Sequence, residues 1–286
     1  MTFTERLDHY EKLLRLDKPI GILLLLWPTL WGLWLSSAGQ PNWIIVWIFI
    51  MGTVLMRSAG CAINDYADYK FDAQVARTQN RPLATGAIQP KEALYLAAGL
   101  SVCAFLLIVR LNKLTWMLAG GAAFLAATYP YTKRFFAIPQ AYLGVAFGFG
   151  IPMAYAAQTG SVPLLAWIVL LANVFWAIAY DTEYAMVDKA DDLKIGIKTS
   201  AITFGRFDVA AVMLCHAAFI GIMAFVGFTL NLGAIYYGGL LLALALAGYQ
   251  YVLIRERDPA RCFKAFLHNA WVGMAVFVGI ATDAIL

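Results

Sequence analysis

Long apolar stretches separated by short polar breaks run through almost the whole chain. A helix needs about 20 mostly apolar residues to cross the hydrocarbon core of a bilayer. Stretches of that length occur nine times, at 20–38, 43–63, 92–111, 114–131, 138–157, 163–181, 208–228, 233–253 and 263–284. Glycine and proline stand at several breaks, for example at 39–41, as is typical of loops between helices. The pattern predicts an all-α integral membrane protein, a bundle of about nine transmembrane helices.

The amino-acid composition agrees with a membrane environment. Of the 286 residues, 62% are hydrophobic and 13% are charged, whereas a soluble domain is roughly half apolar and roughly a quarter charged. A soluble fold of this length has too much surface for its volume to hide so many apolar side chains. We therefore expect residues 1–286 to form a single domain within the lipid bilayer.

The basic residues lie mostly on one side of the predicted bundle. Of the 21 lysines and arginines, 18 fall in the N-terminal segment or in or beside the connections after every second span. Because cytoplasmic loops are enriched in Lys and Arg, this asymmetry predicts a cytoplasmic N-terminus and a C-terminus on the opposite side. The net charge of +4 is scattered over several segments, which argues against a nucleic-acid-binding patch. The sequence also indicates no protein partner.

Two acidic clusters end the second and sixth spans, and both are therefore expected on the cytoplasmic side. Asn64, Asp68 and Asp72 are spaced i, i+4, i+8, and Asp188 and Asp192 repeat the i, i+4 step. Residues four apart line one face of a helix, where like charges repel each other. A bound cation offsets that repulsion, and carboxylate and amide oxygens suit Mg²⁺. Since Mg²⁺ completes its shell with water and substrate phosphates, two facing clusters suit a pair of ions that hold a diphosphate. The alternative is that the acids merely solvate helix ends.

A basic, glycine-containing segment follows each acidic cluster, so the two halves resemble a weak internal repeat. Arg77 and Arg81 follow the first cluster, and Lys194 and Lys198 follow the second. Arginine binds phosphate oxygens through a bidentate fork, and lysine binds them as a point charge. These four residues are candidates for substrate binding, although loops also carry such charges without function.

Arg57 is a basic residue in the interior of a predicted span, away from the ends of 43–63. Placing arginine at the centre of a membrane helix costs about 2.5 kcal/mol or more. We expect its side chain to face the bundle interior and to pair either with an acid or with an anionic substrate. Asp181, two turns before Asp188 on the same face, is a candidate for orienting a substrate or accepting a proton, or for a structural pair with Arg57.

These motifs resemble the aspartate-rich motifs of the UbiA superfamily of intramembrane prenyltransferases. The pattern NDxxDxxxD occupies 64–72 and DxxxD occupies 188–192. Segments 15–21, 26–31, 180–188 and 195–201 resemble members that act on 4-hydroxybenzoate, and the likeness spans nearly the whole chain. It implies nine helices around a central cavity, with a cytoplasmic cap formed by the motif-bearing loops. It also implies that Asn64, Asp68, Asp72, Asp188 and Asp192 hold Mg²⁺ and the diphosphate.

The resemblance further implies an activity. A polyprenyl group is transferred from polyprenyl diphosphate to the ring of 4-hydroxybenzoate, beside its hydroxyl, as a step of ubiquinone biosynthesis in the bacterial inner membrane. The family pattern YxxxK corresponds to Tyr129 and Lys133, with Arg134 adjacent; with Asp181 these are the candidate catalytic residues. Arg15 and Lys18 are candidates for the substrate carboxylate or diphosphate, or else charges that set topology.

Two alternatives remain open at this point. A relative with the same chemistry would use another acceptor, such as a naphthoate, homogentisate or haem. A secondary transporter would use the acids as an ion pathway, but transporter sites lie near the bilayer midplane on interrupted helices. Here the acids gather at one edge of the membrane beside basic segments, which favours the transferase.

Overall fold

The computed structural model describes residues 2–75 and 77–285, and the regular secondary structure in this part of the chain is entirely helical, with no strand. Twelve α-helices follow one another: α1 (Phe3–Leu14), α2 (Ile20–Leu35), α3 (Trp43–Asp72), α4 (Pro90–Ile108), α5 (Lys113–Thr132), α6 (Pro139–Gly148), α7 (Gly150–Thr159), α8 (Leu164–Ile195), α9 (Ser200–Phe204), α10 (Asp208–Leu230), α11 (Ala234–Ile254) and α12 (Pro259–Asp283). A single 3₁₀ turn, Gly205–Phe207, joins α9 to α10.

Membrane-spanning capacity is concentrated in the longer helices. Within the described ranges, six helical segments are long and apolar enough to cross a bilayer, namely α3, α4, α8, α9 together with α10, α11 and α12. Helix α2 is apolar but has only 16 residues. Each of the nine apolar stretches in the sequence coincides largely with a helix or a helix pair. The chain is therefore an all-α integral membrane protein.

The stretch 138–157, which the apolar pattern predicts as one helix, is divided into α6 and α7. Pro152 has no backbone N–H to donate to the carbonyl of Gly148, so the helical hydrogen-bond ladder is interrupted there. Both flanking glycines also sit against neighbouring helices. A Cβ on Gly148 would meet Asn173 of α8 at 2.5 Å, and one on Gly150 would meet Thr29 of α2 at 2.4 Å. The break thus lets the chain pack closely on two sides.

Helices α3 and α8 continue beyond the apolar stretches that predict them. They contain 30 and 32 residues, which at about 1.5 Å per residue is well beyond the roughly 30 Å of a bilayer core. Their last turns carry the two acidic motifs. The motifs therefore lie on helix ends rather than in the connecting loops. Of the candidate site residues that follow each motif, Arg77 and Lys198 do lie in the connections. We call this end of the bundle, where α3 and α8 finish, the motif end.

Aromatic packing fixes helices α2, α8, α10 and α12 against one another. The rings of Trp31, Trp176 and Phe219 are fully buried and have centroids 5.3–5.8 Å apart. Each indole nitrogen has a partner: Trp31 donates to the carbonyl of Gly273 at 3.1 Å, and Trp176 donates to Asn269 Oδ1 at 3.0 Å. Satisfied indoles remove the cost of burying a polar N–H. The result is a rigid support behind the inner face of α8.

Candidate active site

A large cavity of about 1290 Å³ opens between the helices at the motif end. Its walls collect 13 of the 16 site residues that the sequence suggests. They are Arg15, Lys18, Arg57, Asn64, Asp68, Asp72, Arg77, Arg81, Tyr129, Lys133, Asp181, Asp188 and Asp192. Residues from both halves of the chain therefore share one chamber.

The first acidic motif faces the cavity along one side of α3, as its spacing predicts. Lys133 of the segment after α5 reaches it, with Nζ 3.2 Å from Asp68 Oδ2 and 3.4 Å from Asn64 Oδ1. Arg81 donates to Asp72 Oδ2 at 2.8 Å. These contacts offset the repulsion between carboxylates that an isolated helix would suffer. The motif is thereby held as a row of side-chain oxygen atoms with cations beside them.

Asp65 is a site residue that the spacing argument missed. It is 1% exposed, and its carboxylate accepts hydrogen bonds from Arg15 at 2.8 and 3.0 Å and from Arg81 at 3.0 Å. The residue joins the segment after α1, helix α3 and the segment after α3 at one point. A carboxylate directly after Asn64 was visible in the sequence, but only the tertiary contacts give it this function.

The second acidic motif lies on the facing helix and is reached from the first half of the chain. Arg77 Nε donates to Asp188 at 3.0 and 3.1 Å, and Nη2 donates to Asp188 Oδ2 at 2.5 Å, a bidentate fork. The same guanidinium stacks over the Tyr184 ring at 4.5 Å. Asp192, one turn further, is buried and lines the cavity. Arg77 therefore bridges the segment after α3 to α8.

The oxygen donors at the cavity suit a Mg²⁺ ion that water and phosphate also coordinate, and in the part of the chain that the structure describes they do not form a site in which protein side chains alone surround the metal. Among the described residues, no three His, Cys, Asp or Glu side chains are grouped closely enough to hold an ion by themselves. Magnesium commonly takes only one or two carboxylates and completes its shell with water and phosphate oxygens. Oxygen donors on α3 and α8 that line one cavity meet that requirement.

Three cations beside the motifs keep their charge. Burial tends to lower the pKa of Arg81, but the carboxylates of Asp65 and Asp72 outweigh it and the pKa is raised. Burial likewise opposes the charge of Lys133, yet Tyr129 and Asp68 hold its pKa above the ordinary value. The pKa of Arg77 is raised as well, because Tyr184 and Asp188 outweigh its burial. The cavity therefore presents fixed positive charge.

Arg57 projects into the cavity without forming the carboxylate pair considered from the sequence. Its Nε donates to the carbonyl of Gly21 at 3.3 Å, its Nη1 contacts Cys61 Sγ, and its guanidinium lies 5.9 Å from the Phe147 ring centre. No ion pair of Arg57 occurs within the described ranges. Of the two alternatives for this residue, a guanidinium without a carboxylate partner favours binding an anionic substrate.

Asp181 lies on the same wall but has a different neighbour. Gln140 of α6 lines the cavity as well, and its Oε1 accepts the backbone N–H of Ser200 at 3.0 Å. The alternative considered from the sequence, an ion pair between Asp181 and Arg57, does not occur among the described residues. Asp181 therefore lies at the cavity wall with an amide-bearing residue that anchors the start of α9.

Three predicted residues are not brought to the cavity. Arg134 donates to the carbonyl of Ala67 at 3.2 Å and lies over aromatic rings. Lys194 is 74% exposed at its side chain and pairs with Asp191 at 3.0 Å. Lys198 donates to the carbonyl of Phe135 at 3.2 Å. Arg134 and Lys198 thus contact backbone carbonyls of other segments, and Lys194 pairs within its own helix. Closeness to the motifs in sequence cannot show whether a basic residue makes such a structural contact or binds substrate.

Away from the acids, the cavity continues as an apolar arm between α3, α4, α5 and α7. Its lining there is almost entirely hydrocarbon and aromatic, and includes Phe49, Met56, Phe105, Trp116 and Met153. Small residues of α5 complete one wall, among them Ala119, Gly120 and Ala123. One chamber thus joins a charged end suited to phosphates with a long apolar space suited to a hydrocarbon chain.

Comparisons with known proteins give matches along the whole chain. Residues 25–274 match the model of the UbiA prenyltransferase family. A protein of Nitrosospira multiformis named 4-hydroxybenzoate octaprenyltransferase is 68% identical over 99% of this chain and 98% of its own length. A protein of Thiobacillus denitrificans with the same name is 67% identical over 100% of this chain and 98% of its own length.

Solved structures share the fold. The apo structure of a UbiA homologue from Aeropyrum pernix K1 matches with a TM-score of 0.81 at 26% identity, over 93% of this chain and 98% of that one. A UbiA homologue from Archaeoglobus fulgidus, solved with GPP and Mg²⁺, matches with a TM-score of 0.70 at 18% identity, over 96% of this chain and 99% of that one. The motifs, the shared cavity and these matches agree: the chain belongs to the UbiA prenyltransferase family.

Proposed function

We propose that this protein transfers a polyprenyl group from polyprenyl diphosphate to the ring of 4-hydroxybenzoate, at the carbon beside the hydroxyl. The observation that carries the proposal is the single cavity that joins two acidic motifs and fixed cations to a long apolar arm. The full-length relatives named 4-hydroxybenzoate octaprenyltransferase support this acceptor and favour an eight-unit donor. The product is a prenylated phenol of the kind that ubiquinone biosynthesis requires.

The proposed metal is Mg²⁺, with Asn64, Asp68 and Asp72 as ligands from α3 and Asp188 and Asp192 as ligands from α8. The Archaeoglobus relative was solved with Mg²⁺ and GPP, and the donors here are the oxygen type that Mg²⁺ prefers. When bound, Mg²⁺ supplies Lewis-acid neutralisation of the charge that develops on the diphosphate.

The protein's own cations assist departure of the diphosphate. In the reaction the allylic C–O bond breaks and its electron pair leaves with the diphosphate. Arg77, Arg81 and Lys133 lie among the acids and hold positive charge there before the reaction begins. Preorganised charge of this kind stabilises a transition state without solvent reorganisation. Arg15 and Lys18 line the same end of the cavity and extend the positive surface.

The aromatic acceptor is proposed to bind deeper, beside Arg57. The guanidinium of Arg57 takes the substrate carboxylate, which orients the ring toward the allylic carbon. Tyr129 and Tyr180 line the intervening wall, and their π faces stabilise an allylic cation. A new C–C bond then forms and the ring loses a proton, for which Asp181 is the proposed acceptor.

The architecture of the family suggests how the chain sits in the bilayer. We propose nine spans, with α6 and α7 together forming one, and a single prenyltransferase domain over residues 1–286. The basic residues at the motif end favour a cytoplasmic N-terminus and active site, and a C-terminus on the opposite side of a bacterial inner membrane. The isoprenoid tail explains the membrane location, because hydrocarbon of that length dissolves in lipid and not in water.

An assay with defined substrates tests the proposal. Purified protein in lipid nanodiscs is incubated with Mg²⁺, octaprenyl diphosphate and one acceptor at a time: 4-hydroxybenzoate, a dihydroxynaphthoate or homogentisate. We expect a 3-prenylated 4-hydroxybenzoate by mass spectrometry and little product with the others. Efficient prenylation of another acceptor would overturn the assignment of 4-hydroxybenzoate. The absence of any product, together with substrate uptake into vesicles, would overturn the transferase itself.

A further inference from the structure

An ion-pair network centred on one buried carboxylate lies beside the second acidic motif, outside the cavity. Asp208, the first residue of α10, is 0% exposed. Its Oδ2 accepts from Lys189 Nζ at 2.9 Å, and its Oδ1 accepts from Arg257 Nε at 2.8 Å and from the backbone N–H of Val209 at 2.8 Å. Three elements therefore meet at one carboxylate: the end of α8, the start of α10 and the connection between α11 and α12.

The two cations have second contacts that lock the corner between α9 and α10. Lys189 Nζ also donates to the carbonyl of Gly205 at 3.0 Å, and Arg257 Nη2 donates to the carbonyl of Arg206 at 2.8 Å. Arg257 adopts a left-handed backbone conformation, φ 57°, which a residue with a side chain rarely adopts unless its contacts demand it. Gly205 also has a positive φ, 58°, which glycine adopts readily. Two backbone positions with positive φ thus lie beside the contacts of this carboxylate.

Lys189 lies on a different face of α8 from the second acidic motif. It directly follows Asp188, so its side chain points about 100° round the helix from that ligand, and it does not line the cavity. Below it, Met186 packs with Val209, Val212 and Ile254. One face of α8 carries Lys189, which pairs with Asp208. A different face of the same helix carries Asp188 and Asp192, which line the cavity. The ion pair ties the last turns of α8 to the start of α10.

We propose that Asp208 and Lys189 are positioning residues that orient the second acidic motif toward the metal and diphosphate. Neither touches the substrate, and their effect is transmitted through α8. The inference rests on the proposed function, because it is that site whose geometry they set. Replacing one partner of such a pair is costly, since the remaining charge at the buried carboxylate keeps fewer partners. Both partners must therefore be varied.

The test uses full-length protein in nanodiscs with the variants Lys189→Met, Asp208→Asn and Lys189→Arg. The control is Glu256→Gln, which removes a surface ion pair with Arg261 at the same end of the bundle. The first readout is amide hydrogen exchange of 186–195 without Mg²⁺ or substrate. The second readout comprises the Mg²⁺ concentration for half-maximal activity, kcat, and KM for the acceptor.

We expect faster exchange at 186–195 in both Lys189→Met and Asp208→Asn, extending in Asp208→Asn to the start of α10, which the same carboxylate contacts. Lys189→Arg and Glu256→Gln should exchange like the wild type. We also expect the first two variants to need several times more Mg²⁺ and to lose about tenfold in kcat, because small misplacements of catalytic groups cost up to about 100-fold. The KM for the acceptor stays unchanged.

Wild-type exchange and Mg²⁺ requirement in both variants would overturn the proposal. Loss of protection throughout α8–α12 in both variants, without a change confined to 186–195, would also overturn it, because the network would then only stabilise the fold. A wild-type preparation without prenyltransferase activity is a different failure. It refutes the proposed function, and the exchange data still report whether Asp208 orders the end of α8.

Discussion

Arg77 and Asp188 connect the two halves of the site through a bidentate ion pair, with Nη2 2.5 Å from Oδ2. Arg77 belongs to the segment after the first acidic motif, whereas Asp188 begins the second. The pair also places a guanidinium over Tyr184. A planar fork is therefore held where an incoming diphosphate would meet both motifs, and the same fork geometry suits phosphate oxygens.

Arg77→Lys tests the importance of the fork rather than of the charge. Lysine keeps a positive charge but cannot form the bidentate contact. We expect KM for the polyprenyl diphosphate to rise about tenfold, equivalent to about 1.4 kcal/mol, while KM for 4-hydroxybenzoate stays unchanged. Steady-state kinetics with each substrate varied in turn measure the effect. Lys194→Gln is the matched control, because its exposed side chain lies outside the cavity; equal effects of the two changes would refute the assignment.

Asp68→Ala and Asp188→Ala remove one proposed ligand from each motif. We expect turnover to fall by at least about 100-fold in each variant, as observed when a single electrostatic contributor is removed from a transition state. Circular dichroism in detergent should show helix content like that of the wild type. Activity near the wild-type level in either variant means that its carboxylate holds no essential metal.

Removal of divalent ions tests whether the activity requires a metal at the proposed ligands. Treatment with excess EDTA should abolish product formation, and added Mg²⁺ should restore it fully. Among the described residues the protein's own donors do not enclose an ion, so a bound Mg²⁺ should exchange readily with ions in solution. Product formation is followed by chromatography before and after each addition. Full activity in the presence of EDTA would contradict metal dependence.

Arg57→Met tests the proposed acceptor subsite. Methionine fills similar space without charge, so the donor should bind normally while KM for 4-hydroxybenzoate rises by about tenfold or more, since charged hydrogen bonds are worth roughly 1.5–3 kcal/mol. A phenol that lacks the carboxylate serves as the internal control. The two enzymes should convert that phenol at similar rates. If Arg57→Met slows the conversion of both acceptors equally, Arg57 does not bind the carboxylate of 4-hydroxybenzoate.

Gly239 tests the packing of α11 against α12. A Cβ at Gly239 would lie 2.8 Å from the backbone oxygen of Ala275 and 2.9 Å from Gly279 Cα. Backbone cannot move aside as a flexible side chain can, and overpacking costs about 1–3 kcal/mol. We expect Gly239→Ala to lower the melting temperature. The neighbouring Gly238→Ala, whose added Cβ meets nothing within 4 Å, should not; equal melting temperatures would show that the helices can separate without cost.

The acidic motifs show how far the sequence leads. The i, i+4 spacing of Asn64, Asp68 and Asp72 predicts a common helical face, and all three residues line the cavity. Hydropathy ends the second span at 63, yet α3 continues to Asp72. The acids on this extension are contacted by Lys133 and Arg81, which lie outside α3. A pattern confined to one helix contains no information about such contacts.

The contacts of individual polar residues could not be predicted from the sequence. Asp65 and Asp208 are single carboxylates without a repeat, and their function arises from arginine and lysine partners 16 to 50 positions away. Conversely, Lys194 and Lys198 follow the second motif closely and still point elsewhere. Proximity in sequence indicates which segment carries charge, but the rotation of the helix decides which charges reach the cavity.

The most direct measurement is equilibrium binding of an unreactive prenyl thiodiphosphate to the protein in nanodiscs, with and without Mg²⁺. We expect tight binding that requires Mg²⁺ and that weakens at least about tenfold, or 1.4 kcal/mol, when either Asp68 or Asp188 is replaced by alanine. Binding that is independent of Mg²⁺ and unchanged in both variants would contradict a diphosphate held jointly by the ends of α3 and α8.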